Sequence, residues 1–259
     1  VLYTLAGILG AILGSFANVC IVRLPKGESI MWPPSHCTSC MRRIKPWENI
    51  PIISFILLRG KCKGCGSKIS FIYPVVELLC VLFSILTWWY FGDPLRFLLY
   101  FPLLVVPLVI VTFIDIKHLI IPDSISISGI FVGMVVHTVL KVQGGYLNSF
   151  IDSLIGAVSG GLLLFLVAFA YEKLKKAEGL GGGDIKLIAM LGAFFGWKAV
   201  LFILLLSSVL GSVVGLFLII FLKKGSKYPI PYGPFLAGAG LIYLYAGNRF
   251  ISWYLHLFV

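Results

Sequence analysis

The sequence predicts an all-α polytopic membrane protein, with about eight transmembrane helices and a cytosolic zinc-binding loop after the first. Three observations predict it. Hydrophobic residues make up 59% of the 259 and charged residues 12%, and the mean hydropathy is +1.03; a soluble domain of this length has no use for so much apolar surface. The apolar residues fall mostly into runs of roughly 20, the length that crosses a hydrocarbon core about 30 Å thick. The net charge of +11 comes from basic residues in the segments between those runs, which orients a membrane protein rather than binding nucleic acid.

The first run, 2–22, has no basic segment before it and no small-residue cleavage site, so it is expected to be a retained span rather than a removed signal peptide. Further spans are expected at 72–91, 95–114, 124–141, 149–171, 185–196, 198–222 and 232–257. The segments 23–70, 115–123, 171–186 and 223–231 carry all the Lys and Arg except Arg96, Lys141, Lys198 and Arg249. They are therefore placed in the cytosol, with both chain ends outside. The run 185–196 is too short to cross alone, reaching about 18 Å. This implies that Gly181–Asp184 lies below the membrane surface as non-helical backbone, which is tolerated there only in a protein-lined or water-filled cavity.

Segment 23–70 contains Cys37-Thr38-Ser39-Cys40 and Cys62-Lys63-Gly64-Cys65. Thiols in the cytosol stay reduced, and two such knuckles supply four thiolates for a tetrahedral Zn²⁺. A structural zinc would stabilise a loop too small to bury a core of its own. Cys20 and Cys80 fall inside spans and are expected to be small packing residues.

Two acids stand at span ends. Asp115 closes the run Tyr100–Ile114, and Asp184 follows Gly181-Gly182-Gly183. A mid-membrane aspartate costs about 2.5–3.5 kcal/mol on insertion scales, so a carboxylate at such a place suggests function. Two held together cannot both ionise. One, protonated, polarises a carbonyl while the other takes a proton from water, which is the chemistry of amide hydrolysis. Each is followed by Ile-Lys, giving Asp115-Ile116-Lys117 and Asp184-Ile185-Lys186. The lysines either stabilise an ionised acid or bind an acidic substrate segment.

Other polar residues have simpler expectations. Asn18 is placed to hydrogen-bond across helices, and Asp123 to cap the helix it begins. Two roles stay open for Glu77, structural or in contact with substrate. His36, His118, His137 and His256 show no ligand spacing, and serine-hydrolase, zinc-protease and P-loop motifs are absent. Two rival readings remain: a presenilin-like intramembrane protease, which needs no zinc loop, and a transporter or channel subunit using the acids as an ion path.

The ordered motifs resemble one family, the type IV prepilin peptidases of bacteria. They are Gly14-Ser15-Phe16-Ala17-Asn18-Val19 to Arg23-Leu24-Pro25, Pro34-Ser35-His36-Cys37 with its knuckles, and Asn49-Ile50-Pro51. Then come Tyr73-Pro74-Val75-Val76-Glu77, Asp115 to Ile121-Pro122-Asp123, Glu178-Gly179-Leu180-Gly181-Gly182-Gly183-Asp184-Ile185-Lys186-Leu187, and Pro231-Tyr232-Gly233-Pro234-Phe235. The GxGD element is shared with presenilin-like proteases. The resemblance implies an aspartyl endopeptidase of the bacterial inner membrane, with Asp115 and Asp184 as the catalytic pair. Its substrates would be type IV prepilins or pseudopilins, of pilus or type II secretion systems, cut after glycine at the cytosolic side. It also implies N-methylation of the new N-terminal residue, usually Phe, by S-adenosylmethionine, an activity that accompanies the cysteine tetrad. On this view 1–22 is the first transmembrane helix, 23–70 the zinc-binding loop domain associated with methylation, and 71–259 the peptidase core. Glu28, Glu48, Glu172 and Glu178 are the acids available to a basic leader.

Overall fold

The computed structural model describes residues 1–141, 145–175, 181–223, 225 and 228–256. Glu178, Gly179 and Leu180 of the glycine motif, and Lys224 of the last basic segment, lie outside the described residues. The secondary structure is helical: α1 Leu2–Arg23, α2 Ile53–Leu57, α3 Ile72–Phe91, α4 Pro94–Tyr100, α5 Val106–His118, α6 Asp123–Leu140, α7 Tyr146–Lys175, α8 Gly182–Phe195, α9 Trp197–Ile220 and α10 Gly233–His256. A π-helical turn, Phe101–Val105, joins α4 to α5. Six helical segments among the described residues are long and apolar enough to cross a membrane: Leu2–Lys26, Ile72–Phe91, Pro94–His118, Asp123–Leu140, Tyr146–Leu174 and Trp197–Ile220.

The chain divides into two compact units, Val1–Ile110 and Val111–Val259. In the first, α1 lies against α3 along a row of small residues. A Cβ on Gly10 would stand 2.7 Å from the Cys80 carbonyl, and one on Gly14 2.8 Å from the Glu77 Cα. Glycine at these two positions lets the backbones meet, the usual device where lipid gives helices no hydrophobic drive to associate. The buried Ser84 hydroxyl donates to the Ala6 carbonyl at 2.6 Å, adding a polar bond across the same seam.

In the second unit α8 is the central element. Leu187 through Phe195 are buried on every side of the helix, by α6, α7, α9 and α10. The approach to α7 is closest at Gly156 and Gly192, where a Cβ on either would fall about 2 Å from the other's carbonyl oxygen. Fourteen residues extend only about 21 Å, but a helix enclosed by protein need not match the bilayer by itself. The outer helices expose apolar side chains instead, as α9 does with Leu205, Val209, Val213 and Phe217.

The helix boundaries differ from expectation at the glycine motif. Gly182 and Gly183 are already helical and Asp184 lies in the first turn of α8, with Gly181 as the extended N-cap. The helix can begin here because its N-terminal end is packed against protein: a Cβ on Gly183 would lie 2.9 Å from that of Ile121.

Candidate functional site

Asp115 lies on the last turn of α5 and Asp184 on the first turn of α8. Both are buried, 4% and 9% exposed, and the charge of Asp115 bears on the Asp184 carboxyl. Asp115 Oδ2 accepts a hydrogen bond from the Gly233 backbone N–H at 2.9 Å. That N–H is the first of α10, where unpaired donors and the helix dipole both favour a carboxylate. Asp184 is met by the backbone of Gly181, its own N-cap residue. Ile121 fills the space between these supports. Its side chain lies 3.2 Å from where a Gly233 Cβ would stand and 2.9 Å from a Gly183 Cβ. Glycine at 183 and 233 is thus required by close approach, and at 233 a side chain would also press on Asp115, 2.7 Å away.

Tyr232 anchors the segment entering α10, its hydroxyl 2.8 Å from the Ser207 hydroxyl of α9. Lys186 does not serve either acid: its ammonium pairs with Asp123 at 2.6 Å. Asp123 is therefore not the cap of α6. It is the first helical residue, Pro122 occupies the cap position with no side-chain bond, and the Asp123 carboxylate is drawn to Lys186 instead. Lys117 and the exposed Ile116 leave the same helix end as Asp115.

The sequence reading missed a second polar centre, at the other end of α6 and α8. His137, buried in α6, places Nδ1 2.9 Å from the Phe194 carbonyl and Nε2 3.1 Å from Asp152 Oδ2 of α7. Lys141 also reaches Asp152, at 3.4 Å, and Ser153 donates to the Ala193 carbonyl at 2.7 Å. Together they satisfy carbonyls at the C-terminal end of α8. The only sequence signal was a histidine inside an apolar run.

In the first unit the four cysteines converge. The sulfurs of Cys37, Cys40, Cys62 and Cys65 lie within 4.8 Å of one another, and Cys37 Sγ is 3.9 Å from Cys65 Sγ. Thiolates at about 2.3 Å from a tetrahedral metal stand about 3.8 Å apart, so the donor set and spacing fit a metal ion. The two knuckles are built alike. Met41 N–H bonds the Cys37 carbonyl and Gly66 N–H the Cys62 carbonyl, each at 2.9 Å, and both Met41 and Gly66 have positive φ. Backbone groups of Cys40 and Ser39 hydrogen-bond the Cys37 sulfur and bring its thiol down to about 5. Hydrogen bonds from Ser67 lower Cys65. Four converging sulfur donors are what a soft divalent cation requires, and the cation itself would draw off their protons. Arg42 braces the first knuckle through Glu48 at 2.8 Å.

Glu77 ties this loop to the first unit's helices. Its Oε2 accepts from the Ile52 N–H at 2.7 Å and its Oε1 faces Asn18 Nδ2 at 3.5 Å. Asn18 also donates to the Tyr73 carbonyl at 3.0 Å, the bond across helices that the sequence suggested.

Comparison with known proteins gives the family. Residues 8–91 match the Bacterial Peptidase A24 N-terminal domain and residues 102–216 the Type IV leader peptidase family. The chain is 36% identical to the "Prepilin leader peptidase/N-methyltransferase" of Pseudomonas putida, over 95% of this chain and 91% of that protein. This chain belongs to the prepilin leader peptidase/N-methyltransferase family. Proteins of the same name from Stutzerimonas stutzeri and Pseudomonas aeruginosa are 37% and 35% identical, each over 96% of this chain and over 92% and 91% of their own lengths. No solved structure matches the chain. The first matched segment contains the cysteine cluster and Glu77, and the second contains both aspartates.

Proposed function

We propose that this family member cuts the leader from type IV prepilins or pseudopilins after glycine and then N-methylates the new terminus, usually Phe, with S-adenosylmethionine. What supports the peptidase reading is that Asp115 and Asp184 are both buried, at helix ends whose glycines, Gly233 and Gly183, pack on the same Ile121. In the working dyad one carboxyl donates to the scissile carbonyl and the other accepts a proton from the attacking water. Fixed backbone donors hold the acids ready without asking them to reorganise during reaction.

Cys37, Cys40, Cys62 and Cys65 hold a structural Zn²⁺ in this reading, which supplies stability to the 23–70 loop and takes no part in bond breaking. The six long helices, with α8 and α10, make eight crossings of a bacterial inner membrane. The basic segments then lie in the cytosol, and so does the α8 end that carries Asp184. A prepilin offers its basic leader at that face and an apolar helix to the bilayer, which places its scissile bond at the membrane edge. Nucleic acid has no role. Segment 23–70 is associated with methylation, and 71–259 carries both aspartates of the peptidase.

The test is purified protein with a prepilin, with and without S-adenosylmethionine, read by intact mass. Leader loss in both samples, with a methyl group added only when the donor is present, is expected. A prepilin left uncut by abundant protein would overturn the reading.

A further inference from the structure

Glu77 is a buried carboxylate, 8% exposed, that the peptidase chemistry does not use. Its surroundings are Ile52 N–H, Asn18 Nδ2 and the Ser15 hydroxyl, with the Cys80 thiol one turn along α3 and the Tyr73 carbonyl beside Asn18. All of the donors to it are neutral. No ion pair reaches Glu77 among the described residues, and Arg23, the buried cation at the end of α1, is engaged by the carbonyls of Ser29 and Pro33 at 2.9 and 2.6 Å. Beside the carboxylate the Oδ1 of Asn18, itself buried, has no hydrogen-bond partner. A carboxylate without a counter-ion and an amide oxygen without a donor, side by side, form a site deficient in positive charge and in N–H groups.

Local backbone geometry supports a held site. Ile52 adopts φ +62°, a conformation costly for a β-branched residue. In that conformation its N–H is directed onto Glu77 Oε2 at 2.7 Å. Strain of this kind persists where the surroundings over-determine it. Ser15, Ile52 and Tyr73 are partly exposed, and the neighbouring Phe16, Ile53 and Leu78 are exposed apolar side chains. The polar centre is buried beneath partly exposed residues and flanked by apolar surface.

We propose that Glu77 and Asn18 bind a primary ammonium, the freshly exposed α-amino terminus of the methyl acceptor, and that Glu77 is the base that deprotonates it. This rests on the methyltransferase half of the reading above. An α-ammonium has a pKa near 8 and is mostly protonated at neutral pH, so it has no lone pair with which to attack. Glu77 takes one proton from the ammonium and becomes the neutral acid. The amine nitrogen then attacks the methyl carbon of the sulfonium donor. The C–N bond forms as the C–S bond breaks, and the bond's electron pair leaves on sulfur as a neutral thioether. The N-methylammonium product can lose its proton to solvent, and Glu77 returns its own there. Asn18 Oδ1 accepts a second N–H and fixes the nitrogen's orientation. The apolar flank suits a terminal residue that is aromatic and followed by an apolar helix.

The test uses the full-length protein, S-adenosylmethionine and a pilin supplied already cleaved. Glu77→Gln keeps the size and the bond to Ile52 within reach. At pH 7 its methyl transfer should fall at least about tenfold, in the range of a lost general base. At pH about 9.5, where the amine arrives neutral, it should return to within about threefold of wild type. Cleavage of prepilin, zinc content and affinity for S-adenosylmethionine should stay as in wild type. Asn18→Ser should raise KM for the amine substrate while leaving the pH profile unchanged, and it carries the test if the Gln variant does not accumulate. Wild-type methylation at pH 7, an equal loss at both pH values, a loss of donor affinity, or an unchanged KM in Asn18→Ser would each overturn the proposal. Failure of the unaltered protein to methylate at all would instead overturn the function on which it rests.

Discussion

Asp115 and Asp184 come to opposite supports of Ile121 by different routes, one from the end of a helix and one from the start of another. Their candidacy was legible in sequence because a carboxylate at a span end is costly and so asks for a reason. Their supports were not. The Gly233 N–H that bonds Asp115 is a backbone group from far along the chain, and no side chain advertises it. Asp123 failed in the opposite direction: local rules made it a cap, and a lysine 63 residues away claimed it. Asp115→Asn and Asp184→Asn should each lower prepilin cleavage by about 10³-fold or more, since neither acid can both donate and accept. Methylation of an already cleaved pilin should persist, because that step splits no water. Cleavage measured at equal membrane abundance decides this, and substantial activity in either variant would remove the dyad. Glu48 offers a prediction with a pH sign. Desolvation alone would raise its carboxyl, but the Arg42 guanidinium and the Lys45 backbone outweigh that and hold it below the usual range. A folded value below the unfolded one stabilises the loop fully above the ordinary carboxylate range, near 4.3, and the gain is lost as pH falls through the folded value. Glu48→Gln should therefore loosen the 35–68 segment at pH 7, seen as faster amide exchange there, and the difference from wild type should shrink on acidification.

Among the elements, α8 shows why a sequence pattern can locate a helix and misjudge its setting. Its shortness was evident, and a recessed loop was the simplest way to let it cross. The structure solves the same problem with packing, starting the helix at Gly182 and enclosing Leu187 to Phe195. Hydropathy cannot distinguish a helix that faces lipid from one that faces protein, so the enclosure was invisible. The same blindness hid His137, whose bonds to Phe194 and Asp152 hold the far end of α8 and need three helices to exist. The tightest joint of this assembly is Gly156 against Gly192, where an added Cβ would overlap a backbone carbonyl. Backbone cannot move aside as a flexible side chain can. Gly192→Ala should cost about 1–3 kcal/mol or more by overpacking, and it should lower cleavage by shifting Asp184, which shares the helix. Thermal unfolding in detergent checks the first effect. Wild-type stability in Gly192→Ala would mean that α7 and α8 are not locked together at this point.

At the scale of the whole chain, the candidate residues fall in two compact units. The cysteine cluster, Glu77 and Asn18 belong to Val1–Ile110, and Asp115, Asp184 and Gly233 to Val111–Val259. The sequence reading divides the chain by setting, 1–22 a membrane helix, 23–70 a loop domain and 71–259 a core, because spacing and hydropathy reveal which segments are wet but not which helices pack together. What joins α1, the loop and α3 is a set of contacts remote in sequence: Gly10 and Gly14 against α3, and Glu77 reaching Ile52. The proposed metal would therefore have a predictable sphere of influence. Without it, the knuckles lose the cation that gathers four thiolates, the segment between them loosens, and the Ile52 N–H is no longer presented steadily to Glu77. The supports of the proposed dyad, Gly181, Ile121 and Gly233, all lie in the second unit. Stripping metal with a chelator, or replacing Cys37 and Cys62 together by Ser, should thus reduce methylation of a pre-cleaved pilin by about tenfold or more while leaving prepilin cleavage within about threefold, as expected when second-site support is lost but the first site is intact. Zinc restored to the chelated protein should recover methylation, whereas the double Ser variant should not respond. Equal loss of both activities at unchanged protein abundance would show that the loop also holds the peptidase together.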